Sequence, residues 1–151
     1  MASYLVDTNG DQALAAATAE TILSIVNAAT GTITLIEFSV SFDGTSSTAE
    51  PVTVELCEST EATTGTSTTH TIIQNHGSTR TAQATAKRGF TAEPTVLTVR
   101  KRWLVHPQSS LTIQFPLGRE PQMIVGGDAL LLRCTAPAVV NVQGYIEWEE
   151  G

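Results

Sequence analysis

The feature that most constrains this chain is the strict two-residue alternation of its closing segment. From Val140 onward, Val140, Val142, Ile146 and Trp148 fall on one parity, while Asn141, Gln143, Tyr145, Glu147 and Glu149 fall on the other. Successive side chains of a strand point to opposite faces, so this pattern sets one face on a core and turns the other towards water or a partner. The segment before it, Asp128 to Thr135, is apolar at Ala129, Leu130, Leu131 and Leu132, and Arg133 interrupts the run before Cys134. Ala136-Pro137-Ala138 lies between the two. Proline fixes φ and removes a ladder donor, so the chain turns there, and two strands joined by a short turn are expected to be antiparallel neighbours.

The same reading extends through the rest of the chain. Glu20 to Asn27 reads as a strand after the turn Asp7-Thr8-Asn9-Gly10-Asp11, and Ala13 to Ala19 has the propensity for a helical turn. Thr32 to Asp43 carries apolar residues on one parity at Ile33 and Leu35 and on the other at Ile36, Phe38, Val40 and Phe42. A parity switch inside a strand would turn its apolar side outward unless an extra residue absorbs it, which predicts a bulge near Leu35–Ile36. Pro51 opens a strand with Val52, Val54 and Leu56 on one face. Further strands are expected at Thr95 to Val105, Ser110 to Leu117 and Met123 to Val125. Residues 58–94 read as a long irregular excursion. Its first part, Glu58 to Thr71, is nearly all Ser, Thr, Glu, Gly and Ala and is expected to be exposed and mobile. A short strand at Thr71 to Gln74, about two helical turns over Arg80 to Arg88, and Phe90 as an anchor complete it. The sum is an all-β chain, an antiparallel β-sandwich or jelly roll of about eight strands in one domain spanning 1–151, with 1–19 as an N-terminal arm and turn.

Composition narrows the function. Charged residues make up 15% of the chain, against an ordinary share of about a quarter, so Thr, Ser, Asn and Gln carry much of the polar surface. A net charge of −7 argues against nucleic acid, whose binding rests on Lys and Arg at phosphates, and against an anionic membrane surface. No apolar run approaches the roughly 20 residues of a spanning helix. The opening Met-Ala-Ser-Tyr-Leu-Val-Asp lacks a basic stretch followed by an apolar one, so synthesis and folding in a cytoplasm are expected.

Chemistry-bearing motifs are sparse, and no catalytic, cofactor-binding or metal-ligating set is predicted. Asp7, Asn9 and Asp11 imitate the start of a calcium loop, but Gln12 and Thr18 stand where its glycine and bidentate glutamate belong. Cys57 and Cys134 lack metal-ligand spacing and read as buried thiols, with a disulfide across the sandwich left open. His70, His76 and His106 read as surface residues, Gly126-Gly127-Asp128 lacks the following helix that a phosphate cradle needs, and Glu147, Glu149 and Glu150 read as a solvated acidic edge. Two stretches are candidates for an interface. Tyr4, Leu5 and Val6 form an apolar arm too short to make a core, able to dock on a neighbour. Arg100 and Arg102 share a strand face within the only basic cluster and could pair with acidic groups of a neighbouring subunit.

Four segments carry a resemblance: SVSFDGTSSTAEPVTVEL from Ser39, FTAEPT from Phe90, HPQSSLTIQFPLGREP from His106 and LRCTAPAVVNVQGYIEWEE from Leu132. They resemble a family of small proteins of tailed bacteriophages associated with capsid decoration. The resemblance implies a β-sandwich or jelly-roll trimer on the outer capsid surface, bound to the major capsid protein, with no cofactor, nucleic acid or membrane. A tail-associated or host- or carbohydrate-binding module of the virion is the alternative, with the loops 43–50 and 58–71 as its recognition surface.

Overall fold

The computed structural model describes residues 1–60 and 67–151, and the described residues form thirteen strands and no helix. In chain order these are β1 (Ala2–Asp7), β2 (Gln12–Leu14), β3 (Thr18–Val26), β4 (Ile33–Phe42), β5 (Val52–Ser59), β6 (Thr68–His70), β7 (Ile73–His76), β8 (Thr85–Arg88), β9 (Thr98–Val105), β10 (Ser110–Gln114), β11 (Gln122–Met123), β12 (Ala129–Ala136) and β13 (Val140–Glu150). They build two antiparallel sheets. The first runs β10-β4-β13-β1-β7, with β11 also on β4 and β2 also on β13; the second runs β6-β8-β3-β12-β5-β9. One buried cluster joins Tyr4, Val6, Phe38, Val40, Ile146 and Trp148 of the first sheet to Leu23, Ile25, Val54, Leu56, Leu130 and Leu132 of the second. The fold is therefore a β-sandwich.

Eight of the strands follow a single rule. Taken as β1, β3, β4, β5, β9, β10, β12 and β13, the first pairs with the last, the second with the seventh, the third with the sixth and the fourth with the fifth. The chain is thus one long hairpin, closed between β5 and β9 and rolled so that successive pairs fall in opposite sheets. The pairs β13·β4 and β12·β5 then zip the roll together. The strands β2, β6, β7, β8 and β11, of two to four residues each, extend this frame.

This arrangement corrects the expectation for the closing segment. β12 and β13 are not neighbours; β12 lies between β3 and β5, and β13 between β4 and β1. The reason is the core. Leu130, Leu132, Cys134 and Ala136 of β12 and Val140, Val142, Ile146 and Trp148 of β13 are both inward sets, and in opposite sheets they confront one another. Ala136-Pro137-Ala138 makes the corner between sheets rather than a hairpin turn.

The expected bulge in β4 is present. Leu35 stands opposite Trp148 and Glu37 opposite Glu147, so Ile36 is the unmatched residue. It lets Ile33, Leu35, Phe38 and Val40 all reach the core despite their change of parity. Both helical expectations are corrected. Residues 13–19 contain the end of β2 and a left-handed Ala17 (φ 55°), and Ala17 N donates to Ala136 O at 2.7 Å. Residues 80–84 form no helix or strand, and the segment ends in β8, which pairs with β3. Here the backbone N–H groups of Gln83 and Ala84 donate to the Glu150 carboxylate at 2.7 and 3.0 Å, so a tertiary acceptor takes donors that a helix would have used. The excursion 58–94 is more regular than expected, since β6, β7 and β8 widen both sheets on one side. The short strand expected at Thr71 to Gln74 lies at Ile73–His76, and Phe90 is buried as anticipated. Of the stretch Glu58 to Thr71, expected to be mobile, residues 61–66 lie outside the described residues, while Glu58 and Ser59 belong to β5 and Thr68–His70 form β6.

Candidate functional site

The N-terminal stretch proposed to dock on a neighbour is an internal strand. β1 lies between β13 and β7, with Tyr4 opposite Trp148 and Val6 opposite Ile146. Ala2, Tyr4 and Val6 are buried on its inner face, the Tyr4 and Trp148 rings lie 6.0 Å apart, and Leu5 is half-buried on the outer face opposite Glu147. Three consecutive apolar residues suggest a sticky arm, but the alternation Ala2, Tyr4, Val6 is that of a strand with one buried face. The slot beside β13 that receives it is a tertiary fact.

Arg100 and Arg102 lie on β9, the edge strand of the second sheet, and their acidic partners come from the same chain. Arg102 Nε donates to Glu55 Oε2 at 2.8 Å, while Arg133 Nε and Nη2 donate to Glu55 Oε1 at 3.2 and 3.0 Å. Glu55 on β5 stands directly opposite both Arg102 on β9 and Arg133 on β12. One carboxylate therefore fastens three strands across the outer face of the second sheet. The Glu55 side chain is 7% exposed and that of Arg133 18%, whereas Arg102 is 66% exposed and keeps much of its hydration. Arg100 is the unmatched residue of a bulge in β9; it pairs with Glu58 and donates from Nη2 to Gln122 O at 3.2 Å. Sequence shows the basic cluster but not that β5 and β12 bring Glu55, Glu58 and Arg133 beside it, so acidic partners for both arginines lie within the chain.

The remaining candidates are dispersed. Asp7 Oδ1 accepts from Asn9 N at 3.0 Å and lies 3.2 Å from His70 Nε2, while Asp11 Oδ1 accepts from Gln143 Nε2 at 2.6 Å, so the three residues of the calcium-like run do not converge. His106 Nδ1 accepts from Gln108 N at 3.1 Å, and among the described residues no group of three or more His, Cys, Asp or Glu is arranged to hold a metal. Cys134 is in the main core and Cys57 on the opposite face of the same sheet with Ala129 and Leu131; both are free thiols. Burial pushes the Cys57 thiol up to about 11 and that of Cys134 higher still. At Gly126-Gly127-Asp128 the chain wraps on the buried Asn27, whose Nδ2 lies 2.7, 3.1 and 3.2 Å from the carbonyls of Gly31, Met123 and Val125. The acidic end is also engaged: Glu147 accepts from Asn75 Nδ2 at 2.7 Å, and Glu150 caps Gln83 and Ala84 and accepts from Trp148 Nε1 at 3.2 Å.

Two surface features escaped the sequence reading. A cleft of about 410 Å³ opens at one end of the sandwich, between the 44–50 loop, Pro107 and the corner Pro137–Val140, and its lining is mainly apolar. The connection from β10 to β12 exposes large apolar side chains, Leu117 at 96% with Ile124 and Val125, while Leu104 on β9 and Val139 at the cleft are also exposed. Apolar residues beside glycine in turn segments, Leu117-Gly118 and Val125-Gly126, are the signal that could have found them. No protein-family model, no curated protein and no solved structure matches the chain.

Proposed function

We propose that this chain is a structural virion protein that decorates and cements the outer surface of a tailed-phage capsid, bound to the major capsid protein and to sister copies in a trimer. The observation that supports the reading is the nested pairing of eight strands in a two-sheet β-sandwich, which we read as a jelly roll, an architecture that viral capsid domains use. The resemblance of the segments beginning at Ser39, Phe90, His106 and Leu132 adds to it. Leu117, Ile124 and Val125, on the connection at one end of the roll, are apolar side chains suited to burial against the shell.

The mechanism is linkage. A protein that binds the assembled shell but not free capsid subunits stabilises the shell by mass action. A trimer presents each contact three times and gains avidity when the spacing matches the lattice. To test this, the purified chain is mixed with undecorated shells of the phage that encodes it and sedimented. Saturable binding at a fixed ratio to the major capsid protein, with shells more resistant to heat, is the expected result; no saturable binding overturns the proposal.

The cleft beside the 44–50 loop favours a second reading, a tail-associated or host-binding module that takes its ligand there. Imaging labelled protein on the particle separates the two, because a head location excludes the tail.

A further inference from the structure

We propose that copies of this chain associate through two unlike faces, the outer face of the first sheet in one copy meeting the β9 edge of the next. The proposal rests on how charge is divided within the sandwich; it gives the faces through which sister copies would meet and does not depend on shell binding.

The strands of the first sheet contain five carboxylates and no Lys or Arg. Those of the second contain six Lys or Arg and three carboxylates. A chain of net charge −7 thus has one acidic sheet and one basic sheet. Within the acidic sheet, Glu37 and Glu147 stand directly opposite one another on β4 and β13. Like charges in that position destabilise a sheet, and no cation in the sheet offsets them. Neutral donors hold them in place: Tyr145 Oη donates to Glu37 and Asn75 Nδ2 to Glu147. The hydrogen bond of the Tyr145 phenol to Glu37, with lesser effects from burial and from the charges of Glu37 and Glu147, pushes its pKa up to about 12. Glu149, two residues on, shares the outward parity and extends the acidic strip along β13.

The complementary surface is β9. It is the last strand of its sheet and, among the described residues, pairs only with β5. Lys101 and Arg102 are exposed on it, and the Glu55 carboxylate that Arg102 shares with Arg133 leaves that trio with an excess positive charge. Leu104 on the same strand is exposed and supplies an apolar contact. Because the two surfaces differ, the contact is heterologous and builds a ring where its rotation closes. Complementary charge sets register and speeds encounter.

The test is the mass in solution by analytical ultracentrifugation, at low salt and at about 1 M salt, where the screening length falls to about 3 Å. The wild-type chain should form a discrete multi-copy species at low salt that dissociates at high salt. Lys101→Glu, which also gives up the Lys101 ammonium's contact 5.1 Å from the Phe115 ring centroid, and Glu149→Lys, both outside the ion pairs within the chain, should each weaken association by about tenfold or more, which corresponds to about 1.4 kcal/mol. Combined in one chain they should restore it, because reversed charges again face each other. Unchanged thermal midpoints of the single variants' monomers verify that the fold is intact. A wild-type chain that stays monomeric at low salt overturns the proposal, as does a wild-type assembly insensitive to both reversals or a combined variant no better than either single one. A monomer that nevertheless binds shells would overturn this proposal and the trimer of the capsid reading, and leave shell binding itself standing.

Discussion

Replacing Glu55 by alanine removes the carboxylate that ties β9, β5 and β12 together. Its side chain is 7% exposed and accepts three guanidinium hydrogen bonds, one from Arg102 and two from Arg133. The two partners should respond differently. Arg102, 66% exposed, rehydrates, and its loss is that of a surface pair, under about 1 kcal/mol. Arg133, 18% exposed, is left largely buried without its counter-ion, a change that costs roughly 3–5 kcal/mol when burial is complete. Residual exposure places the expected loss near the lower end, about 3 kcal/mol. For a chain of this size that corresponds to a fall of about 6–12 °C in Tm. Urea unfolding followed by tryptophan fluorescence measures it, since Trp148 is fully buried and Trp103 half-buried, and the denaturant slope should stay constant. Adding Arg133→Met to Glu55→Ala should recover about 2 kcal/mol, because the second change removes the stranded charge. A Glu55→Ala chain within about 1 kcal/mol of wild type, or a double variant as unstable as the sum of the singles, would refute the reasoning.

Three further outcomes are expected. Gly126→Ala should cost about 1–3 kcal/mol by overpacking, read from the same urea curves, because a Cβ there would lie 2.6 Å from Ala29 Cα; a neutral effect would show that the 27–31 turn yields freely. Both thiols should resist a thiol reagent at pH 8 in the native chain and react together on unfolding, since both are buried and held protonated; rapid labelling of either in the native state contradicts that placement. Burial raises the Glu93 carboxyl above its ordinary 4.5, with Arg133 and Glu20 nearby and Thr21 Oγ1 donating to it at 2.5 Å. A raised folded-state pKa stabilises fully below the unfolded value and loses that contribution as pH rises through the folded one. Glu93→Gln, which keeps an acceptor for Thr21, should therefore be at least as stable as wild type at pH 7 and lose any advantage below about pH 4.5; lower stability at pH 7 would show that the charged form is the one the fold favours.

The placement of Arg102 bears on how the chain associates. Its bond to Glu55 satisfies part of its charge within the chain, but Glu55 must also serve Arg133, and Lys101 beside it is exposed. An edge strand lined with cations resists pairing with an arbitrary strand. The same cations suit a specific acidic face, so protection against aggregation and selective association are compatible on one edge.

Local patterning determined the strands. Period-two alternation in β3, β4, β5, β9, β10 and β13 is a property of neighbouring residues, and so is the parity conflict that located the bulge at Ile36. It also identified the inward residues of β13, because burial of one face leaves no other register. What the alternation cannot carry is which strand lies beside which. A strand's inward side chains only require some apolar surface opposite, and β12 and β13, adjacent in sequence, satisfy each other from facing sheets instead of sharing one. The same holds for charge. Arg100-Lys101-Arg102 and Glu147, Glu149 and Glu150 are visible as runs, but the carboxylates that reach Arg100 and Arg102, and the backbone donors that Glu150 caps, come from residues 42 to 67 positions away. Those partners, the burial of Tyr4 and Val6 beside β13, and the division of the sandwich into an acidic and a basic sheet follow from long-range packing, which joins segments whose sequences hold no record of one another.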